Sequence, residues 1–177
     1  MDWMLLPLKR YAEFSGRSRR MEFWMWILFT FIVGLVLGLI DGILGFRLGP
    51  SSSSSFSSAG TAGFSMFSSI GILGSLWSLA TLVPNIAVAI RRLHDTNRTG
   101  WWLLLPVIPY VIGLVIMLSA AASQNLGMIG IGGIFSLIGL VGAIVLLVFY
   151  CLPGTPGPNR FGPDPLDGTG DLAQTFR

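Results

Sequence analysis

Four apolar runs, separated by segments of very different character, organise this 177-residue chain. The first, Phe23 to Ile40, holds eighteen residues with Thr30 as its one polar interruption. A helix needs about 20 mostly apolar residues to cross a hydrocarbon core ~30 Å thick, so this run spans if extended by a residue or two at each end. Basic residues precede it and small residues follow, as in a secretory signal. A signal core is only ~7–15 residues long, however, so an uncleaved first transmembrane helix is predicted. The second run covers residues 67–90, softened by Ser68, Ser69, Ser75, Ser78, Thr81 and Asn85, with Pro84 expected to kink it near its end. The third extends from Trp101 to about Ala122. Its Pro106 and Pro109 lie in the first turns, where a missing N–H costs least. The fourth covers Leu126 to Leu152, and only the uncharged Ser123-Gln124-Asn125 separates it from the third, which predicts a tight hairpin.

The connectors are polar or rich in Gly and Pro. Residues 46–66 include SSSSSFSSAGTAG, which has no apolar period and is expected to be a flexible loop. The tail 153–177 carries too many prolines and glycines to continue a helix and should begin as turns and end disordered. The expected organisation is one membrane domain over residues 1–177. A basic cytoplasmic arm (1–21) leads into a membrane region (22–152) with the Ser-rich outer loop, and a cytoplasmic tail follows. The predicted fold class is an all-α integral membrane protein, a bundle of four transmembrane helices with both termini cytoplasmic.

Composition agrees with a lipid solvent. Apolar residues make up 53% of the chain and charged residues 11%, with a mean hydropathy of +0.74. A soluble domain carries about 25% charged residues. A net charge of +3 and a pI of about 9.6 raise the question of a nucleic-acid partner. The basic residues lie beside apolar spans with no soluble basic domain left over, so no nucleic-acid partner is expected. Of the eleven Lys and Arg, only Arg47 falls on the far side of a four-span topology. The positive-inside rule then sets both termini in the cytoplasm. Cys151 is alone, which excludes an intrachain disulfide and a cysteine metal site.

The polar residues near the spans gather in two places. Arg17, Arg19 and Arg20 precede the first span, and RRLHDTNRTGWW at 91–102 joins the second to the third. Arginines at a helix start oppose its dipole, so topology and attraction to anionic lipid explain them better than helix stability does. The sharper alternative is an anionic lipid or ligand site formed by Arg17, Arg19, Arg20, Arg91, Arg92, His94, Asp95 and Arg98. His94-Asp95 is the one pairing with a catalytic look. Neighbours in a turn seldom face each other, and Asp95 is well placed to pair with an arginine. No nucleophile stands in a recognisable context, no second histidine exists for a metal, and no cofactor is implied. No catalytic residue is therefore assigned. Trp24, Trp26, Trp101 and Trp102 fall near the helix ends on one side, as belt residues do. Gly34, Gly38 and Gly42 form a small-residue face on the first span, and Gly139 and Ala143 repeat the spacing in the fourth. Packing within the bundle is the simple reading; a homo-oligomer through Gly34, Gly38 and Gly42 is the alternative. Asp41, the one acid adjoining a span, lies near the outer boundary, which counts against coupled transport.

FSGRSRRMEFW at 14–24, RRLHDTNRTGWW at 91–102 and GTPGPNRFGPDP at 154–165 together resemble the bacterial inner-membrane family known as domain of unknown function 805. The resemblance covers nearly the whole chain and implies a small integral protein of the bacterial inner (plasma) membrane. It supplies no catalytic or ligand residues. Short members of that family pass from the Trp-Trp segment to the tail within about one span, whereas here residues 103–152 intervene, which implies an extra apolar segment. The leading expectation is a non-enzymatic accessory or interaction protein whose basic cytoplasmic face meets anionic membrane lipid or a partner. A small channel or transporter subunit comes second, and an enzyme acting on a phosphorylated lipid third.

Overall fold

A computed structural model describes residues 2–46 and 71–165. All regular structure among them is helical: α1 (Asp2–Lys9), α2 (Arg20–Leu44), α3 (Ile72–Asp95), a 3-10 turn (Gly100–Leu103), α4 (Leu104–Ser123) and α5 (Leu126–Cys151). Four segments are long and apolar enough to cross a membrane: Arg20–Leu44, Ile72–Asp95, Gly100–Ser123 and Gly127–Cys151. The all-α membrane architecture expected from the four apolar runs is therefore present. The Ser-rich segment from 47 onward, the expected start of the second span at 67–70 and the tail beyond 165 lie outside the described residues. Helix α1, inside the arm, has no counterpart in the sequence reading.

The chain forms two compact units, one from residues 1–12 and 24–86, the other from 13–23 and 87–177. In the first, α2 and α3 run antiparallel. The Trp26 indole donates to Asn85 Oδ1 at 2.6 Å, and the Trp77 indole donates to the Thr30 carbonyl at 3.4 Å. Phe29 meets Trp77 edge-on with centroids 6.1 Å apart. Trp26 is fully buried, so it is a core residue rather than the belt anchor its position in the sequence suggested. Trp24, Trp101 and Trp102 are exposed, as a belt requires. A Cβ on Gly34 would lie 4.0 Å from the Trp77 ring, whereas Gly38 and Gly42 face open space.

Two devices complete the backbone of α3. The first four N–H groups of a helix have no intrahelical acceptor. Asp41 answers two of them, accepting from Leu73 N at 3.2 Å and Gly74 N at 2.9 Å. Its carboxylate lies at the positive end of the helix dipole, which adds to the capping. A Cβ at residue 71 would fall 1.9 Å from Asp41 Oδ2, so only glycine leaves room for this cap. Further along, Pro84 lies inside α3 and lacks the N–H that would reach the Ala80 carbonyl. The Tyr11 hydroxyl donates to that oxygen instead, at 2.7 Å.

The second unit holds the α4–α5 hairpin. Its turn is shorter than the expected Ser123-Gln124-Asn125, because Ser123 still belongs to α4. Gln124 is left-handed at φ 51°, and Asn125 caps α5 by accepting from Gly127 N at 3.0 Å. Small residues let the two helices approach. A Cβ on Gly113 would meet the Gly132 carbonyl at 3.0 Å, and one on Gly142 would meet the Leu105 carbonyl at 3.1 Å. Pro109 deprives that Leu105 oxygen of its helical donor. Gly139, on the small-residue face expected for the fourth span, lies against Tyr110.

Asp41→Ala should lower the thermal midpoint of the purified protein by an amount matching about 1 kcal/mol for a lost N-cap. Gly71→Ala should cost at least as much, because it expels the same carboxylate. Wild-type melting of both variants would refute the cap.

Candidate functional site

The C-terminal end of α3 supplies the centre of the site. Asp95, its last residue, is buried and shared by two arginines. Arg17 Nε donates to Asp95 Oδ1 at 2.9 Å, and Arg92 Nη1 donates to Asp95 Oδ2. Arg92, one turn before Asp95, is i,i+3 to it, the spacing that brings helical side chains together.

Both guanidiniums then turn to the carbonyls that end α5 and open the tail. Arg92 Nε donates to the Tyr150 carbonyl at 3.2 Å, and its Nη2 to that of Leu152. Arg20 Nη1 reaches the Cys151 carbonyl at 3.5 Å. These are the orphan acceptors of a helix C-terminus, where positive charge also suits the dipole. Arg17 donates to the carbonyls of Thr155 and Gly157, both at 2.6 Å. The Asp95 carbonyl in return accepts from the Thr155 backbone N–H at 2.9 Å and from its hydroxyl at 3.2 Å. Gly154 makes room: a Cβ there would fall 2.3 Å from Asp95 Oδ2.

The tail completes the knot. Asp164 accepts from Gly157 N at 2.9 Å, and its other oxygen lies 3.9 Å from Arg17 Nη2. Asn159 and Gly162 bond each other's backbones at 3.0 and 3.1 Å, closing a turn that carries Phe161. The His94 ring stacks on Phe161 at 3.9 Å with planes 3° apart. Its Nδ1 lies 3.2 Å from the Gly16 carbonyl, which assigns the proton to Nδ1. Asn159 Nδ2 donates to the His94 carbonyl at 3.0 Å. His94 and Asp95 thus turn to different partners, and their adjacency forms no catalytic dyad.

The remaining candidates divide by burial. Arg91 is fully buried, 3.4 Å from Glu22. Arg98 lies over the Phe149 ring at 3.8 Å, and Trp102 meets the same ring edge-on at 5.2 Å. Arg19 is half-buried and Arg20 exposed. Both line a cleft of about 390 Å³ together with Arg17, Met21, Asp95, Asp164 and tail residues 153–156. Inside the knot Arg17 and Arg92 balance Asp95 and Asp164, and Arg91 balances Glu22. Arg20 donates to the Cys151 carbonyl at the edge of the same cleft. Among the described residues no three His, Cys, Asp or Glu side chains gather as a metal site would need.

Of the candidates named from the sequence, Arg17, Arg92, His94 and Asp95 meet in the knot, while Glu22, Asn159, Phe161 and Asp164 were not among them. The last three were visible in GTPGPNRFGPDP, where Asn, Phe and Asp interrupt a Pro/Gly stretch that needs no such side chains merely to turn.

Removing one member of a buried ion pair leaves its partner uncompensated and costs about 3–5 kcal/mol. Asp95→Asn should be destabilised on that scale in chemical or thermal unfolding. His94→Phe, which keeps a ring on Phe161 and loses one hydrogen bond, should lose only about 1 kcal/mol. Equal losses in the two variants would contradict a knot centred on Asp95.

The matches to known proteins cover nearly the whole molecule. The family profile described as Protein of unknown function (DUF805) matches residues 11–163, from Tyr11 to within the docked tail. Inner membrane protein YhaH of Escherichia coli (strain K12) is 36% identical over 165 residues, covering 93% of this chain and 97% of its own length. Inner membrane protein YhaI of the same organism is 36% identical over 169 residues, covering 96% and 99%. Uncharacterized protein YiiR is 26% identical over 155 residues, covering 88% and 87%. No solved structure matches. With four helices fit to span a bilayer and relatives of this kind, the chain is a multi-pass inner-membrane protein and belongs to the DUF805 family.

Proposed function

We propose that this protein is a non-enzymatic accessory of the inner membrane whose basic face, on the cytoplasmic side, holds anionic phospholipid headgroups at the cleft beside the start of α2. The observation that carries this reading is the set of charged residues lining that cleft. The buried arginines are neutralised by Asp95, Asp164 and Glu22. The cleft itself is lined by Arg17, Arg19 and Arg20 against Asp95 and Asp164, a basic excess where α2 begins and α5 ends. Arg20 spends one N–H on the Cys151 carbonyl, and its other donors are available to a phosphate. The cytoplasmic orientation rests on the placement of the basic residues, with Arg47 alone on the opposite side.

Attraction to anionic lipid is worth about 1 kcal/mol per basic residue near the surface. Arg19→Gln/Arg20→Gln should therefore weaken phosphatidylglycerol retention by more than tenfold in native mass spectrometry from mixed nanodiscs, about 2 kcal/mol in all. Phosphatidylcholine retention should stay unchanged. Undiminished phosphatidylglycerol retention would overturn the headgroup site.

A fluorescent reporter that matures only in the cytoplasm, fused after Arg177, should be bright. An active periplasmic phosphatase fused at the same point would reverse the orientation.

A further inference from the structure

The N-terminal helix carries an inference independent of the cleft and of the protein's orientation. Helix α1 presents three kinds of surface. Pro7 is fully buried, and Tyr11, four residues on, donates its hydroxyl to the Ala80 carbonyl at 2.7 Å. Leu5 and Leu8, three apart on one flank, remain 44% and 37% exposed. Lys9 and Arg10 are exposed beyond them.

The Tyr11 bond also fixes a depth. Ala80 lies in the apolar stretch of α3, five residues before Asn85, which places it about 7.5 Å further along the helix axis. Asn85 is where the Trp26 indole finds its polar partner. Tyr11 therefore reaches past the Trp26–Asn85 contact into the apolar part of the span. The oxygen it meets is the one that Pro84 leaves without a helical donor. In hydrocarbon no water can take that place, so the hydroxyl has a strong reason to stay. A helix tethered at this depth, with leucines on its flank and Lys-Arg at its end, has the arrangement of an element lying in the plane of the membrane surface.

We infer that α1 is an interfacial anchor whose Leu5 and Leu8 enter the acyl boundary of the bilayer while Lys9 and Arg10 stay at the phosphate level, and that Tyr11 holds it there through the carbonyl freed by Pro84.

The test uses the full chain with Cys151→Ser, reconstituted in vesicles of phosphatidylethanolamine and phosphatidylglycerol. Leu5→Cys, Leu8→Cys and Asn97→Cys are introduced one at a time and labelled with bimane. Spin labels high on the acyl chains should quench the probes at positions 5 and 8 several-fold more than the probe at 97, and aqueous iodide should show the reverse order. Iodide quenching at position 8 equal to that at 97 overturns the anchor and indicates a helix open to water or to a soluble partner. The tether is tested separately. Tyr11→Phe should raise iodide quenching at position 8 several-fold in the natural background. It should add nothing once Pro84→Ala has restored the helical donor to Ala80. An equal increment in both backgrounds, or none in either, overturns the role of Tyr11.

Discussion

Inside a bilayer a backbone group that leaves the helical ladder finds no water to replace its partner, and many of the telling polar contacts of this protein answer such groups. Asp41 accepts from the open N–H groups at the start of α3. Tyr11 donates to the carbonyl that Pro84 abandons. Arg92 and Arg20 cover the last carbonyls of α5. These contacts make helices with prolines inside them, and helices ending near a lipid surface, compatible with their solvent. Packing by tryptophans in one unit and by glycines in the other works on elements whose backbones are already satisfied.

The arginines are the second theme. A crowd of cations beside apolar spans has a ready explanation in topology, and that explanation treats them as exposed. Arg17, Arg91 and Arg92 are instead buried and paired. Arginine suits this position better than lysine, because one planar fork can hold a carboxylate and several carbonyls at once. Arg17 does so with Asp95, Thr155 and Gly157. The acids that neutralise the cluster sit at 22, 95 and 164, so no single stretch of sequence displays the balance.

That spacing explains how much the sequence could tell. The spans were readable because bilayer thickness imposes a length on any apolar run, and residues 23–40 or 126–152 satisfy it without reference to the rest of the chain. Pairings such as Asp41 with Leu73 and Gly74, or Arg17 with Thr155, depend on register between distant segments, which no local pattern encodes. Asp41 looked like an isolated acid at the outer boundary because its partners are backbone N–H groups. Trp26 and the exposed Trp24 are two residues apart and look alike in sequence, but the helix turns one inward to Asn85 and leaves the other at the surface. The tail looked like a run of turns because its side-chain partners lie on α3 and in the segment before α2.

The docking of the tail also imposes an order on biosynthesis. Arg17 is made before the four spans, while Thr155, Gly157 and Asp164 are made after them. While the helices are being threaded into the membrane, Arg17 has none of these tail partners and the end of α5 does not yet exist. The basic segment therefore meets the insertion machinery before its tail partners exist. Arg17 can be drawn inward only once the turns after α5 have been made. The segment before α2 is thus made open and is fastened only after the last span exists.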